Sequence, residues 1–242
     1  MKQFGLIRDI ELGKEETWKD KVFITLDIDW AHDDVIRYAA DIFSEHHIKV
    51  TWFVTHESPV LNELRTNPLF ELGIHPNYNP LLLNGSYEKG KTAREILNGI
   101  MKIVPEASCV RSHSLTQNSI LVDYYVESNF KSELNVLIPI NSGIMVWPFL
   151  NSSGLTELPH IWEDDVHIEF KHDYKNSLSL IKGYEGLCIL DFHPIHIFLN
   201  SSKPEHYNSA RPFLKDFEKI KGCVNERSYG TRNFLKDLIN WF

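Results

Sequence analysis

Val22-Phe23-Ile24-Thr25-Leu26-Asp27-Ile28-Asp29-Trp30 is the stretch on which the reading of this chain turns. Its first five residues are apolar or β-branched, the composition and length of a buried strand. The run breaks off in two carboxylates, Asp27 and Asp29. Alternate residues of a strand face the same way, so the two acids share one side where the strand leaves its sheet. Like charges so placed repel unless a cation or a shared proton relieves them. A metal site is one explanation. A plain strand-end turn is the other, since Asp33-Asp34 opens a helical pattern just beyond.

Downstream, strand-like and helix-like runs alternate. Val35, Ile36, Ala39, Ala40 and Phe43 predict an amphipathic helix over Asp33–Glu45. Strands are expected over 48–55, ending at His56, and over Phe70–Ile74, ending at His75, with a short Pro-led helix at 59–65 between them. A Pro- and Asn-rich loop spans 76–90, followed by a helix over 92–104. A strand at 107–111 runs into Ser112-His113-Ser114, and a helix covers Ser119–Glu127. Further strands are expected at 132–137, at 155–158 before Pro159-His160, and at 187–192 before His193-Pro194-Ile195-His196. Helices at 176–182 and 229–242 complete the pattern. Such alternation predicts an α/β fold with a parallel sheet and crossover helices. No repeat, low-complexity tract or linker divides the chain, so one domain over residues 1–242 is expected.

Composition narrows the function classes. The net charge is −8 with no basic block, which argues against a nucleic-acid surface. No apolar run is long enough to span a bilayer. The N-terminus lacks the apolar core of a signal peptide, which predicts a cytoplasmic protein. Cys109, Cys188 and Cys223 are odd in number and far apart, as expected of buried thiols rather than a disulfide framework.

The polar residues collect at the C-terminal ends of the expected strands: Asp27, Asp29, His56, His75, Arg111, His113, His160, His193 and His196. In α/β folds that rim is where ligands bind. His75 at a strand end suits zinc or a similar ion, or else caps a loop carbonyl. A buried Arg111 needs a partner, for which one of the two aspartates is the natural candidate; a surface salt bridge is the alternative. His113, two residues on, is a third ligand or a substrate contact. His193 titrates near neutrality and suits a general acid, whereas His196 is a structural or outer neighbour. One carboxylate of Glu163-Asp164-Asp165 is expected to orient His193, with Asp191 the alternative. Trp30, Trp52 and Trp162 either stack on a sugar ring or fill the core.

These residues resemble a known family. Thr25-Leu26-Asp27-Ile28-Asp29, Val50-Thr51-Trp52-Phe53-Val54-Thr55, His75 with Asn79, Arg111-Ser112-His113 and Leu190-Asp191-Phe192-His193 fall in the order of the polysaccharide deacetylases. This is the NodB-homology group, carbohydrate esterase family 4, and the likeness is greatest to its WbmS-like subgroup, associated with surface polysaccharide gene clusters. The resemblance covers about residues 22–199. It implies a distorted seven-stranded (β/α) barrel and a divalent metal, often zinc. It implies Asp27 as general base, Asp29 and His75 as ligands, Arg111 as the partner of the base and His193 as general acid. Two departures stand out. Asn79 occupies the place of the family's second metal histidine, and Arg111-Ser112-His113 replaces Arg-Pro-Pro. An amide oxygen suits zinc less well than imidazole. Either His113 supplies the missing nitrogen as third ligand, or Asn79 keeps that place in a weaker site or for a different metal; Asn79 otherwise joins Trp30, Trp162, His196 and Asp164 among the residues expected around the substrate.

The chemistry this implies is metal-assisted removal of an acetyl or formyl group from an amino sugar. The sugar would be free in a glycan intermediate or carried on a nucleotide. Two rivals share the pattern: an amidohydrolase acting on a small ureide or cyclic amide, and a carbohydrate-binding barrel that has lost its metal. Four costly polar groups at one rim, Asp27, Asp29, Arg111 and His193, speak against the last.

Overall fold

Val22 to Asp27 of the run that opens the sequence reading lie in an interior strand, paired on both sides, of a ten-stranded sheet among the described residues. The computed structural model describes residues 3–84 and 92–241. Its strands are β1 (Gln3–Phe4), β2 (Lys21–Asp27), β3 (Val50–Val54), β4 (Phe70–Ile74), β5 (Cys109–Val110), β6 (Ser132–Glu133), β7 (Phe149–Leu150), β8 (Thr156–Glu157), β9 (Trp162–Glu163) and β10 (Cys188–Phe192). The order is β7-β8-β6-β5-β4-β3-β2-β10-β9, with β1 on the first two residues of β2. Every pairing is parallel except β7 with β8.

The sheet curls back on itself through one bent segment. β8 and β9 are the two ends of chain 156–163. At its start Thr156 and Glu157 pair with Ser132 and Glu133. In its middle His160 bridges Leu137, and its N–H donates to the Val136 carbonyl at 3.0 Å. At its end the Ile161 N–H donates to Ile189 at 3.0 Å and Trp162 pairs with Leu190. The wall is thus β2, β3, β4, β5, β6, the bent segment and β10: a distorted seven-stranded barrel, as the resemblance implied.

Residues 22–27 of β2 and all of β3, β4 and β10 are buried. Burial on both faces is expected of a parallel sheet under crossover helices. Asp33–Glu45, Val60–Thr66, Ala93–Ile103 and Ser119–Glu127 form within a residue or two of the predicted bounds. Thr92 caps its helix by accepting from the Glu95 N–H while Glu95 reaches back. One face of the sheet is polar. The register sets Thr25 beside both Thr51 and Asp191, and Thr51 beside Glu71. Packing there is close at Gly73, where an added Cβ would lie 2.7 Å from the Phe53 ring and 2.9 Å from Cys109 Sγ. The Phe53 ring in turn underlies the Arg111 guanidinium, 4.6 Å from its centroid.

Several expectations need correction. The strands expected at 107–111, 132–137 and 155–158 shorten to two residues each, because the barrel wall bends there. Asn79–Asn84 is helical where a loop was expected, and Asp164–Glu169, Pro194–Leu199, Pro204–Ala210 and Phe217–Lys221 are helices that the periodicity did not announce. Five to seven residues are too few to establish a 3.6-residue repeat. The rest of the expected loop, 85–90, and the final Phe242 lie outside the described residues. The three cysteines are free, Cys109 and Cys188 buried. Among the described residues no helix is long and apolar enough to cross a membrane.

Candidate active site and metal centre

The ends of β2, β4, β5 and β10 converge on one point. Asp29 follows β2 in a left-handed conformation, φ 35°, and Trp30 shares it at φ 55°. Non-glycine residues hold such angles only when their surroundings impose them. Here the Trp30 N–H donates to Thr55 Oγ1 at 3.2 Å, and the Ala31 N–H closes a turn onto the Ile28 carbonyl. The turn brings the Asp29 carboxylate back over the barrel mouth.

Asp29 Oδ1, His75 Nε2 and His113 Nδ1 form a triangle whose three sides are each 3.3 Å. Ligand bonds of about 2.0–2.1 Å directed tetrahedrally set donor atoms roughly 3.3–3.4 Å apart. Asp29 Oδ1 is buried without a hydrogen-bond partner, as an oxygen meant for a cation would be. The donor set, two imidazole nitrogens and a carboxylate oxygen, is one that zinc accepts. Burial raises the pKa of Asp29, but the His113 and His75 imidazoles outweigh it and hold the carboxyl well below its usual range. The expected ligands Asp29, His75 and His113 are thus brought together.

Asp27 lies behind this triangle. Its Oδ2 is 3.4 Å from His75 Nδ1, and its Oδ1 accepts from Arg111 at 3.0 Å. A carboxylate beside the far nitrogen of a liganding imidazole favours the tautomer that leaves Nε2 free. Arg111 is fully buried. It also contacts Asp191 Oδ1, donates to Thr25 Oγ1 at 3.0 Å and reaches the Leu134 carbonyl at 3.3 Å. Two buried carboxylates therefore share one guanidinium. Burial and the neighbouring Asp27 push Asp191 up to about 8, against the pull of Arg111. Thr25, which also donates to Asp191 at 2.7 Å, was missed in the sequence. Strand alternation from Asp27 would have found it.

His193 faces the triangle from β10. Its Nε2 stands 3.6 Å from Asp29 Oδ2. Its Nδ1 is 2.7 Å from Asp164 Oδ1, and its backbone N–H donates to Asp164 Oδ2 at 2.8 Å. Burial lowers the His193 pKa, but the adjacent Asp164 carboxylate overrides this and raises it well above the ordinary imidazole value. Asp164 is the carboxylate that orients His193. Asp191, the alternative, belongs to Arg111. Asp164 is fully buried and so is not a substrate contact.

A cleft of about 620 Å³ opens over Asp29, His113 and His193. Trp30 and His196 line it as expected, together with Phe170 and Tyr207 from helices or loops the sequence did not single out. Trp30 is 37% exposed and sets its ring edge-on to His113 at 5.1 Å. Burial lowers the pKa of His196, whose Nδ1 pairs with Ser201 Oγ at 3.0 Å. Two further expectations fail. Trp162 is core, stacked on Phe234 at 4.7 Å and bonded through Nε1 to His167, because β9 turns its ring away from the cleft. Asn79 is half-buried and its amide is bound to the turn after His113: its Nδ2 donates to Ser114 and its Oδ1 accepts from Thr116.

A family model described as WbmS-like polysaccharide deacetylase matches residues 24–211. The chain belongs to this family. A solved structure from Bordetella bronchiseptica, of a protein assigned as a polysaccharide deacetylase involved in O-antigen biosynthesis, is similar at 34% identity. The match covers 99% of this chain and 98% of that one, with a TM-score of 0.91. A polysaccharide deacetylase assignment from Mycobacterium smegmatis matches at 17% identity, over 91% and 88% of the two chains, with a TM-score of 0.48. No curated protein matches the chain. Membership in the WbmS-like deacetylases supports hydrolytic deacetylation of a carbohydrate.

Proposed function

We propose that this deacetylase-family chain is a divalent-metal-dependent hydrolase that removes an N-acyl group, acetyl or formyl, from an amino sugar, with residues 1–242 acting as one catalytic domain. The observation that carries the reading is the 3.3 Å triangle of Asp29, His75 and His113 set between Asp27 on Arg111 and His193 on Asp164. A divalent ion bound there, zinc first by its donor set, supplies a Lewis acid and makes water acidic near neutral pH. Asp27 takes the proton of the attacking water. Arg111 fixes the direction of the Asp27 carboxylate. His193 delivers a proton from Nε2 to the departing amine nitrogen as the C–N bond breaks, while Asp164 holds Nδ1. Trp30 and Tyr207 flank the sugar, and the products are a carboxylate and a free amino sugar. The similar Bordetella bronchiseptica protein supports a setting in surface polysaccharide supply.

The test is chelation and reloading. Protein stripped of metal and verified by elemental analysis should release no acetate from N-acetylated amino-sugar glycans, and Zn2+ should restore release. Full turnover by verified metal-free protein would overturn the reading.

A further inference from the structure

Asn79 lies outside the metal triangle, yet both ends of its amide are committed to the turn that carries His113. Asn79 Nδ2 donates to Ser114 Oγ at 3.0 Å. Thr116 Oγ1 lies 3.1 Å from Asn79 Oδ1 and 3.1 Å from the His113 carbonyl, two acceptors that share its single proton. The backbone adds a third tie, the His113 N–H donating to the Pro76 carbonyl at 3.0 Å. The segment after His75 and the segment around His113 are thereby laced together.

The turn needs such a tie. Ser114 adopts φ 56°, ψ 30° and Leu115 φ 51°, two successive left-handed residues, neither of them glycine. Such a conformation persists only where neighbours over-determine it. Relaxing Ser114 and Leu115 to ordinary helical or extended angles would swing the chain on the C-terminal side of His113 and release the grip on its ring. Asn79 is itself placed by its backbone N–H, which donates to Asn77 Oδ1 at 3.0 Å, and it opens the helix Asn79–Asn84.

We infer that Asn79 is a positioning residue for the metal centre: its side-chain bonds to Ser114 and Thr116 hold the strained turn that keeps His113 Nδ1 in the triangle with Asp29 and His75. The inference rests on the metal site proposed above. Asn79 acts through His113 and not on the ion.

The experiment is a double-mutant cycle read as Zn2+ affinity, by competition with a chromogenic chelator, on the full chain. Asn79→Ala should weaken Zn2+ binding about tenfold, in the range found when a ligand's supporting partner is removed. In the His113→Ala background the same change should have no further effect, because the ligand it positions is gone. Thr116→Val should reproduce the Asn79→Ala loss, and melting temperatures in metal-free buffer give a check on folding for each variant. Unchanged affinity in both Asn79→Ala and Thr116→Val overturns the inference, as does an equal loss with and without His113. Wild-type protein that takes up no Zn2+ overturns the metal site itself, and the inference with it; this outcome is distinguished from the others by the wild-type titration alone.

Discussion

His193 receives both oxygens of one buried carboxylate: Asp164 Oδ1 lies 2.7 Å from its Nδ1 and Asp164 Oδ2 accepts its backbone N–H at 2.8 Å. The double contact fixes the ring and stabilises its protonated form, so His193 stays protonated to higher pH than burial alone would allow. A general acid is lost as pH rises through its pKa. Asp164→Asn keeps the shape and removes the charge. The expected outcome is a kcat lower by about 10²–10⁴ and an alkaline limb of the pH–kcat profile displaced toward lower pH. An unmoved limb would remove Asp164 from this role.

Arg111 joins Asp27 and Asp191 through a fully buried guanidinium. Arg111→Ala would strand two carboxylates in the barrel interior. Loss of one partner from a buried ionic cluster costs about 3–5 kcal/mol. Chemical denaturation should show a loss of that size, and Arg111→Lys should recover part of it without restoring activity, since an ammonium lacks the fork that spans Asp27, Asp191 and Thr25.

Asp27→Asn separates base from ligand. The amide keeps a carbonyl toward Arg111 but cannot accept the proton of water. Turnover should fall by about three orders of magnitude or more while Zn2+ affinity changes by less than about tenfold, because the one proposed ligand that Asp27 meets is His75, at its far nitrogen. Turnover near the wild-type level would exclude Asp27 as the base.

Much of this site could be read from alternation at strand ends. Val22 to Leu26 is continuous burial, apolar but for Thr25, so Asp27 and Asp29 stood out where the run stopped, and His75, Arg111, His113 and His193 stood out for the same reason. Asn79 at a ligand position left the third donor open between itself and His113, and the fold brings the His113 ring, not the Asn79 amide, beside Asp29 and His75. What remained hidden depends on long-range geometry. Trp162 and Trp30 are the same residue type after similar strand ends, and only the direction in which β9 leaves the barrel decides that one fills the core and the other faces the cleft. Asp164 and Asp165 are neighbours in a run of acids, and only the helix Asp164–Glu169 decides which meets His193. The left-handed turn at Ser114 and Leu115 has no glycine to signal it.

Trp30 and Trp162 should therefore respond to truncation in different ways. Trp30→Ala removes an exposed cleft wall beside His113 and should raise KM several-fold with little effect on melting. Trp162→Ala empties a site packed by Phe192, Phe234 and His167 and should destabilise by about 3–5 kcal/mol. Thermal melts and steady-state kinetics on both variants check the pair; a larger melting loss for Trp30→Ala would reverse the assignment.

Glu157 gives the fold a pH dependence of its own. It is buried beside Glu133, accepts from the Asn135 N–H at 3.2 Å and from Gln117 at 3.1 Å, and burial with the neighbouring acid pushes its pKa up to about 8. The folded chain therefore binds this proton more tightly than the unfolded chain, whose carboxyl titrates near about 4.3. Stability from this group is complete below the unfolded value and is lost as pH rises through the folded one. Wild-type protein should lose on the order of a few kcal/mol between about pH 5 and pH 8 from this cause. Glu157→Gln removes the charge; its oxygen accepts from Asn135 and its amide can donate to Glu133, with loss of the bond from Gln117. Its melting temperature should fall less over the same interval and exceed that of the wild type at pH 8. Parallel melting curves for the two proteins across that range would show that Glu157 is ionised in the folded state.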